Sequence, residues 1–282
     1  MTIGFIGQGW IGKHYADDFE ARGLDIARYA LEEQYLGNKD KISECDIVFI
    51  AVPTPTTEKG FDDSIVRSAM SLIGKGKSAV IKSTIVPGTT ESIQDENPDI
   101  FVFHSPEFLV EKTAAYDASH PNRNIVGIPK DEESYRTRAS EILSVLPKAP
   151  YEAIMASRDA EFVKYAGNCY LFTKVMYMNM FYDLVVAMNG DWNQIREAFV
   201  HDPRIGASHT EPVVSGKRGA GGHCFIKDFE AFRAMYDMYV HDATGSDVLK
   251  SLAHKNIKLL IQSKKDLELL EGVYGDLNNY QS

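Results

Sequence analysis

Residues 2–6 are a short apolar run, and Gly7-Gln8-Gly9-Trp10-Ile11-Gly12 follows at once. Residues 11–22 then carry helical spacing and stop at Gly23. Strand, G-x-G-x-x-G and helix in immediate succession constrain the fold more than any other stretch of this chain. The glycines make the tight turn, let a pyrophosphate approach the backbone and let the helix pack on the strand. The phosphate would rest on the helix N-terminus, where backbone N–H groups point outward. The chain is therefore expected to open with a βαβ unit that holds a dinucleotide.

The residues after the loop extend this pattern. Residues 25–30 read as a second strand. An acid that binds the ribose hydroxyls is expected at its end, about 20 residues past the glycines. Ala30 stands there, with Glu32 and Glu33 just beyond, and Arg28 lies within the strand as a poor 2′-phosphate reader. These residues favour NAD over NADP. Residues 46–52 form a continuous apolar run ended by Pro53, as expected of a buried parallel strand. Thr54-Pro55-Thr56 then makes the loop at its C-terminal end, where ligands bind in such sheets. Further strands are predicted at 78–82, 100–104 and 124–128, with helices at 65–73 and 132–146. This alternation predicts an α/β fold: a doubly wound, Rossmann-like parallel sheet over residues 1–155, followed by an all-helical domain over 156–282.

The helical part opens with a long helix predicted over 157–188, capped by Ser157 and ended by Gly190. Lys164 and Asn168 lie one turn apart on it, so both could donate to one oxyanion; an isolated pair of this kind is more often a solvated face. Met176, Tyr177, Met180, Phe181 and Leu184 form an apolar stripe suited to core or dimer packing. Two more helices are expected at about 229–239 and 246–270. Between them and the long helix stands Gly219-Ala220-Gly221-Gly222-His223-Cys224-Phe225-Ile226-Lys227-Asp228. Three glycines in four residues allow a close backbone approach to a ligand. Cys224 is a candidate nucleophile and Asp228 a candidate base. The plainer reading is a glycine turn, a buried thiol and the start of a helix.

The 282-residue chain is 44% apolar, which suits a folded protein, and its net charge of −10 argues against nucleic-acid or anionic-membrane partners. Cys45, Cys169 and Cys224 have no metal-binding spacing and are odd in number, so thiols in a reducing, cytoplasmic setting are expected, with no metal site. Neither a leader peptide nor an apolar run of about 18 residues is visible, so no membrane span is expected.

Several motifs together resemble the UDP-glucose/GDP-mannose dehydrogenase family, the nucleotide-sugar 6-dehydrogenases. They are the Gly7 loop, Val52-Pro53-Thr54-Pro55, Lys82-Ser83-Thr84, Pro106-Glu107-Phe108-Leu109 with Glu111, Lys164 with Asn168, Asp202-Pro203-Arg204-Ile205-Gly206, and Gly221-Gly222-His223-Cys224 with Lys227-Asp228. The resemblance implies oxidation of a sugar C6 alcohol to the carboxylate with two NAD, through a thiohemiacetal and a thioester on Cys224. It implies Lys164 and Asn168 at the oxyanions, Asp228 as base for the water with Thr84 positioning it, and Glu107 beside the reacting sugar. It places the cofactor on Gly7, Gly9, Trp10, Ile11, Gly12, Pro53, Thr54, Thr84, Glu111 and Lys227. The substrate falls on Phe108, Leu109, Lys164, Asn168, Arg204, Gly221 and Gly222, with Arg204 reaching a partner subunit's substrate in a homodimer.

Three departures qualify it: Ala30 replaces the ribose-binding acid, His223 replaces a usual serine, and Lys112 follows Glu111 where a small residue is common. The family continues into a third, nucleotide-binding domain beyond the residues that match here. A smaller substrate with its phosphate on Lys217, Arg218 and the Gly219 loop, or a separate subunit supplying the nucleotide grip, would then be expected. Two other readings stand beside this one: a non-catalytic or partner-dependent dinucleotide-binding protein of the same descent, and a β-hydroxyacid dehydrogenase, which needs no cysteine nucleophile.

Overall fold

Apolar residues on both faces put a strand in the middle of a sheet, and Ile3–Ile6 and Ile47–Ile50 are buried at every position. In the computed structural model, which describes residues 1–280, they are β1 and β3 of a seven-stranded sheet. The other strands are β2 (Ile26–Tyr29), β4 (Ser78–Ile81), β5 (Phe101–His104), β6 (Arg123–Ile128) and β7 (Tyr151–Ala156), in the order β2-β1-β3-β4-β5-β6-β7. The chain divides into two compact units. The first comprises Met1–Pro55 and Asp62–Lys164, and the second comprises Thr56–Phe61 and the chain from Tyr165 onward.

In the first unit β1 to β5 are mutually parallel, with Ile3 opposite Ile26 and Ile47, and Ser78 opposite Ile47 and Phe101. Their C-terminal ends lie on one edge, so the loops that follow β1, β3, β4 and β5 gather there. The parallel sheet expected from the sequence is corrected to a mixed one. β6 runs antiparallel to β5 and β7 parallel to β6. The connection from β5 to β6 carries one six-residue helix, Ala114–Ser119, and the chain re-enters the sheet from the end it left. β7 has no counterpart in the sequence prediction, because its short apolar run, residues 153–156, passes directly into the long helix at Ser157 with no turn residue between them. The core on one side of the sheet joins Phe5, Phe19, Phe49 and Phe103 to Tyr135 and Ile142. Phe5 and Phe49 stack at 5.3 Å, with Phe19 edge-on to both.

The second unit is helical. The long helix Ser157–Ala187 contributes its residues from Tyr165 on, followed by Trp192–Val200, Gly222–Tyr239, Ala243–Gln262 and Leu267–Tyr274. Phe172 stacks on Phe229 at 3.8 Å, within a core that includes Tyr165, Met176 and Leu259. The apolar stripe of the long helix divides. Met176 is fully buried and Phe181 packs on Trp192, whereas Tyr177, Met180 and Leu184 are exposed.

Two helix predictions are corrected. The helix expected from residue 229 begins at Gly222, so Cys224 lies in its first turn. The single helix expected over 246–270 is two helices. Lys264 and Asp266 take left-handed conformations, with φ of 51° and 52°, and such residues cannot propagate a right-handed helix.

Candidate active site

The glycine loop of the first unit has the form a pyrophosphate requires. Gly7 has φ +90°, and a Cβ there would lie 2.3 Å from the Ala51 carbonyl oxygen. A Cβ on Gly12 would lie 1.9 Å from the Gly7 oxygen, so the helix Trp10–Ala21 can sit on β1 only with glycine at that position. Gly9 is different, since a Cβ there would meet nothing within 4 Å. Its open side is where a ligand has room. No side chain caps this helix and no acid lies in its first turn, which suits a phosphate at its N-terminus. A cavity of about 840 Å³ lies beside the loop, lined by Gly7, Gly9, Trp10, Ile11, Ala30, Glu32 and Pro53 among others. The residues therefore fit a dinucleotide. Ala30 and Glu32 line the space, so Glu32 is the carboxylate in reach of a ribose there. Arg28 is engaged elsewhere, by Asp17 at 2.7 Å and Glu20 at 2.7 Å. The two carboxylates leave it poorly suited to a 2′-phosphate, as its place within the strand suggested.

At the same sheet edge stands a buried charged cluster. Lys164 Nζ donates to Glu107 Oε1 at 2.6 Å and to the Glu107 carbonyl at 2.9 Å, and both side chains are almost wholly buried. Glu107 Oε2 accepts from the Leu109 N–H, which shapes the turn that carries Phe108 and Leu109. The Arg123 guanidinium lies 3.7 Å over the Phe108 ring. Lys82, which the sequence reading included only as part of a motif, is buried nearby. It donates to Ser105 Oγ at 3.2 Å and lies 4.4 Å over the Tyr15 ring. Burial, assisted by the Lys164 cation, pushes its ammonium down to about 7 against the opposing pull of Glu107. Thr84 is buried, and its carbonyl accepts from Thr54 Oγ1 at 2.7 Å, tying together the loops after β4 and β3. Glu161 holds the far side of the Thr84 loop. It accepts from Gly88 N, Thr90 N and Thr90 Oγ1, capping a helix whose own N-cap is a glycine. Glu111 is exposed on the loop beyond.

The second unit carries the thiol. Cys224 is exposed in the first turn of Gly222–Tyr239, so the plainer reading of a buried thiol does not hold. Asp228 follows it by one turn, on the same face of the helix. Asp228 is itself buried and accepts on both oxygens, from Asn168 Nδ2 at 2.6 Å and Lys227 Nζ at 2.7 Å. Cys169 is buried beside the Asp228 carbonyl, and burial pushes its thiol well above the ordinary range, as it does that of Cys45, to about 11. Arg204 is exposed and paired with Asp202 at 2.6 Å. Gly221 and Lys217 line a cavity of about 300 Å³ with His209, Phe225 and Lys265. The expectation that Arg218 holds a phosphate there is not met, because its guanidinium pairs with Asp183 at 2.7 Å and bonds Asn179. Among the described residues no group of three or more acidic, histidine or cysteine side chains could hold a metal. Nor, among them, is any helix long and apolar enough to cross a membrane.

A glycine-loop α/β unit fit for a dinucleotide is followed by a helical unit with an exposed cysteine. Residues 27–146 match the NAD binding domain, and residues 158–256 the central domain, of the UDP-glucose/GDP-mannose dehydrogenase family, and the chain belongs to this family. The glycine loop precedes the first matched span and rests on its own geometry. A UDP-glucose 6-dehydrogenase from Pseudomonas aeruginosa is 32% identical over 256 residues, covering 83% of this chain and 53% of that protein. The chain spans 46% to 69% of the length of the curated relatives it matches. The fold is shared with a UDP-glucose dehydrogenase from Pyrobaculum islandicum, at a TM-score of 0.78 and 24% identity over 93% of this chain and 69% of that one. It is shared also with a 3-hydroxyisobutyrate dehydrogenase from Mycobacterium tuberculosis, at a TM-score of 0.72 and 16% identity over 100% of this chain and 99% of that one.

Proposed function

We propose that this protein oxidises the C6 primary alcohol of a sugar or nucleotide sugar to the carboxylate. The observation that carries this reading is the exposed Cys224 in the first turn of a helix, one turn before a buried Asp228 that Asn168 holds. A dehydrogenase that stops at a ketone has no use for a thiol so placed.

NAD is assigned to Gly7, Gly9, Trp10, Ile11, Pro53 and Glu32, and when bound it supplies the hydride acceptor for both oxidations. Lys164 and Asn168 stabilise the charge that develops on the C6 oxygen. Cys224 Sγ adds to the aldehyde carbon, forming a C–S bond and a thiohemiacetal, and oxidation of that adduct leaves a thioester. Asp228 takes a proton from water as the water attacks the thioester carbon, and the C–S bond breaks to return the thiol. The balance is one alcohol, two NAD and one water to one carboxylate, two NADH and three protons. Glu107 fixes Lys164 and shapes the turn at Phe108 and Leu109, which contact the sugar, and Thr84 orients the water. Glu111 and Lys227 are assigned to the nicotinamide side, and Arg204 to substrate across a homodimer.

The test is NADH formation against a panel of nucleotide sugars, sugar phosphates and hydroxy acids, with products identified by mass spectrometry. Two NADH per acid is the expected stoichiometry. One NADH per ketone or aldehyde as final product would replace this reading with the hydroxyacid one.

A further inference from the structure

The helix that bears Cys224 starts without a cap of its own. Its N-cap is Gly221, and no side chain within the helix supplies the missing acceptor. Left alone, such a start frays, because the first N–H groups have no partner. The peptide groups that lead into it are instead taken by side chains more than 30 residues further on. Asn256 accepts from Ala220 N at 2.7 Å and donates to Ala220 O at 3.0 Å. Ser263 Oγ meets both Arg218 N and Arg218 O at 3.2 Å. Lys265 Nζ donates to Gly219 O at 2.8 Å, and Asp266 Oδ2 accepts from Gly222 N at 2.7 Å.

These contacts are as close as the backbone allows. A Cβ on Gly221 would lie 2.0 Å from Asp266 Oδ2, and one on Gly219 would lie 3.0 Å from Asn256 Oδ1. The clamp also accounts for the broken helix. The left-handed conformations of Lys264 and Asp266 end one helix and start another, and between them the chain turns Lys265 and Asp266 toward the glycine loop. A non-glycine residue in this conformation costs about 1 kcal/mol or more, so the turn is held by what it contacts. Ser263, Lys265 and Asp266 all lie past the span that matches the family's central domain.

We propose that Asp266 is a positioning residue for Cys224: its carboxylate caps the Gly222 end of the cysteine helix and, with Asn256, Ser263 and Lys265, holds the Arg218–Gly222 backbone in the one arrangement that presents the thiol. The proposal rests on the reading of Cys224 as the nucleophile, but half of its test does not depend on turnover.

The test uses the full chain with Asp266→Ala, Asp266→Asn and Ser263→Ala. The rate of Cys224 alkylation by iodoacetamide at one fixed pH is read by mass spectrometry, and kcat and KM are measured on whichever panel substrate is oxidised. Cys45 and Cys169 are buried, so the exposed thiol is the one that reports. Asp266→Ala is expected to speed alkylation at least tenfold and to lower kcat at least tenfold with KM within twofold. Asp266→Asn keeps an acceptor oxygen for Gly222 N and is expected to restore both to within about threefold. Ser263→Ala, which loses the contacts at Arg218, is expected to speed alkylation at least threefold, and it decides the matter if Asp266→Ala does not fold. Wild-type alkylation in folded Asp266→Ala, or in Ser263→Ala, overturns the proposal. So does an Asp266→Asn protein as altered as Asp266→Ala, which would make the charge, not the position, the cause. Failure of every panel substrate would count against the dehydrogenase reading alone, since the alkylation rates would still decide this one.

Discussion

At the scale of single residues, type and spacing nominate candidate reactive groups, and environment sets their properties. Cys224 and Asp228 are four apart, which places them together on any helix. Only the fold shows that Cys224 is exposed while Cys45 and Cys169 are buried. Cys224→Ala is expected to abolish acid formation with dinucleotide affinity within about threefold, measured by product analysis and calorimetry. Cys45→Ala and Cys169→Ala should keep most turnover. Lys82 yields a test of a different kind. Its folded value, about 7, lies below the ordinary lysine value of 10.5. Between those two pH values the unfolded chain binds a proton that the folded chain does not, so this residue makes stability rise with pH across that window. Lys82→Met should therefore raise the unfolding temperature relative to wild type more at pH 7 than at pH 10, in paired thermal scans. An equal shift at both pH values would mean that Lys82 is charged throughout.

Elements were legible where their signals are local. The glycine loop and its flanking strand and helix are contiguous, so periodicity and glycine placement suffice to read them. Gly12→Ala is expected to weaken NAD binding at least tenfold, because its Cβ would fall 1.9 Å from the Gly7 oxygen and push the helix off the strand. Calorimetric titration checks it, and an unchanged affinity would show that the loop has room to relax. The helix Thr89–Glu96 and β7 escaped the sequence reading for opposite reasons. The helix starts at Gly88 and takes its cap from Glu161, whose sequence distance of 71 or more residues hides the partnership. β7 is an edge strand whose four-residue apolar run continues straight into the long helix, so no boundary marks it. Glu161→Ala removes three hydrogen bonds to a buried carboxylate, so a loss of roughly 2–4 kcal/mol is expected in urea unfolding. A loss under about 1 kcal/mol would mean that water replaces the cap.

For the whole molecule, the long helix makes a prediction about assembly. Tyr170, Tyr177 and Leu184 recur every seven residues and are 63%, 51% and 52% exposed, so they lie along one unburied face. Met180 and Met188 extend that apolar surface. A homodimer through this face is expected, with sedimentation at micromolar concentration giving twice the chain mass. Tyr177→Glu with Leu184→Glu should yield monomer, and a wild-type monomer would remove both the dimer and the role given to Arg204.

The sequence alone determined the α/β opening, the helical second half and the candidate site residues proposed above, because these depend on neighbours within a few positions. Tertiary structure decided the reversed direction of β6 and β7 and the break after Gln262. It also decided the partner of each buried charge. Lys164 and Glu107 are 57 residues apart and Asn168 and Asp228 are 60 apart, and nothing periodic in the sequence links them. Packing brings them together, and once water is excluded a buried charge must find a partner or be neutralised.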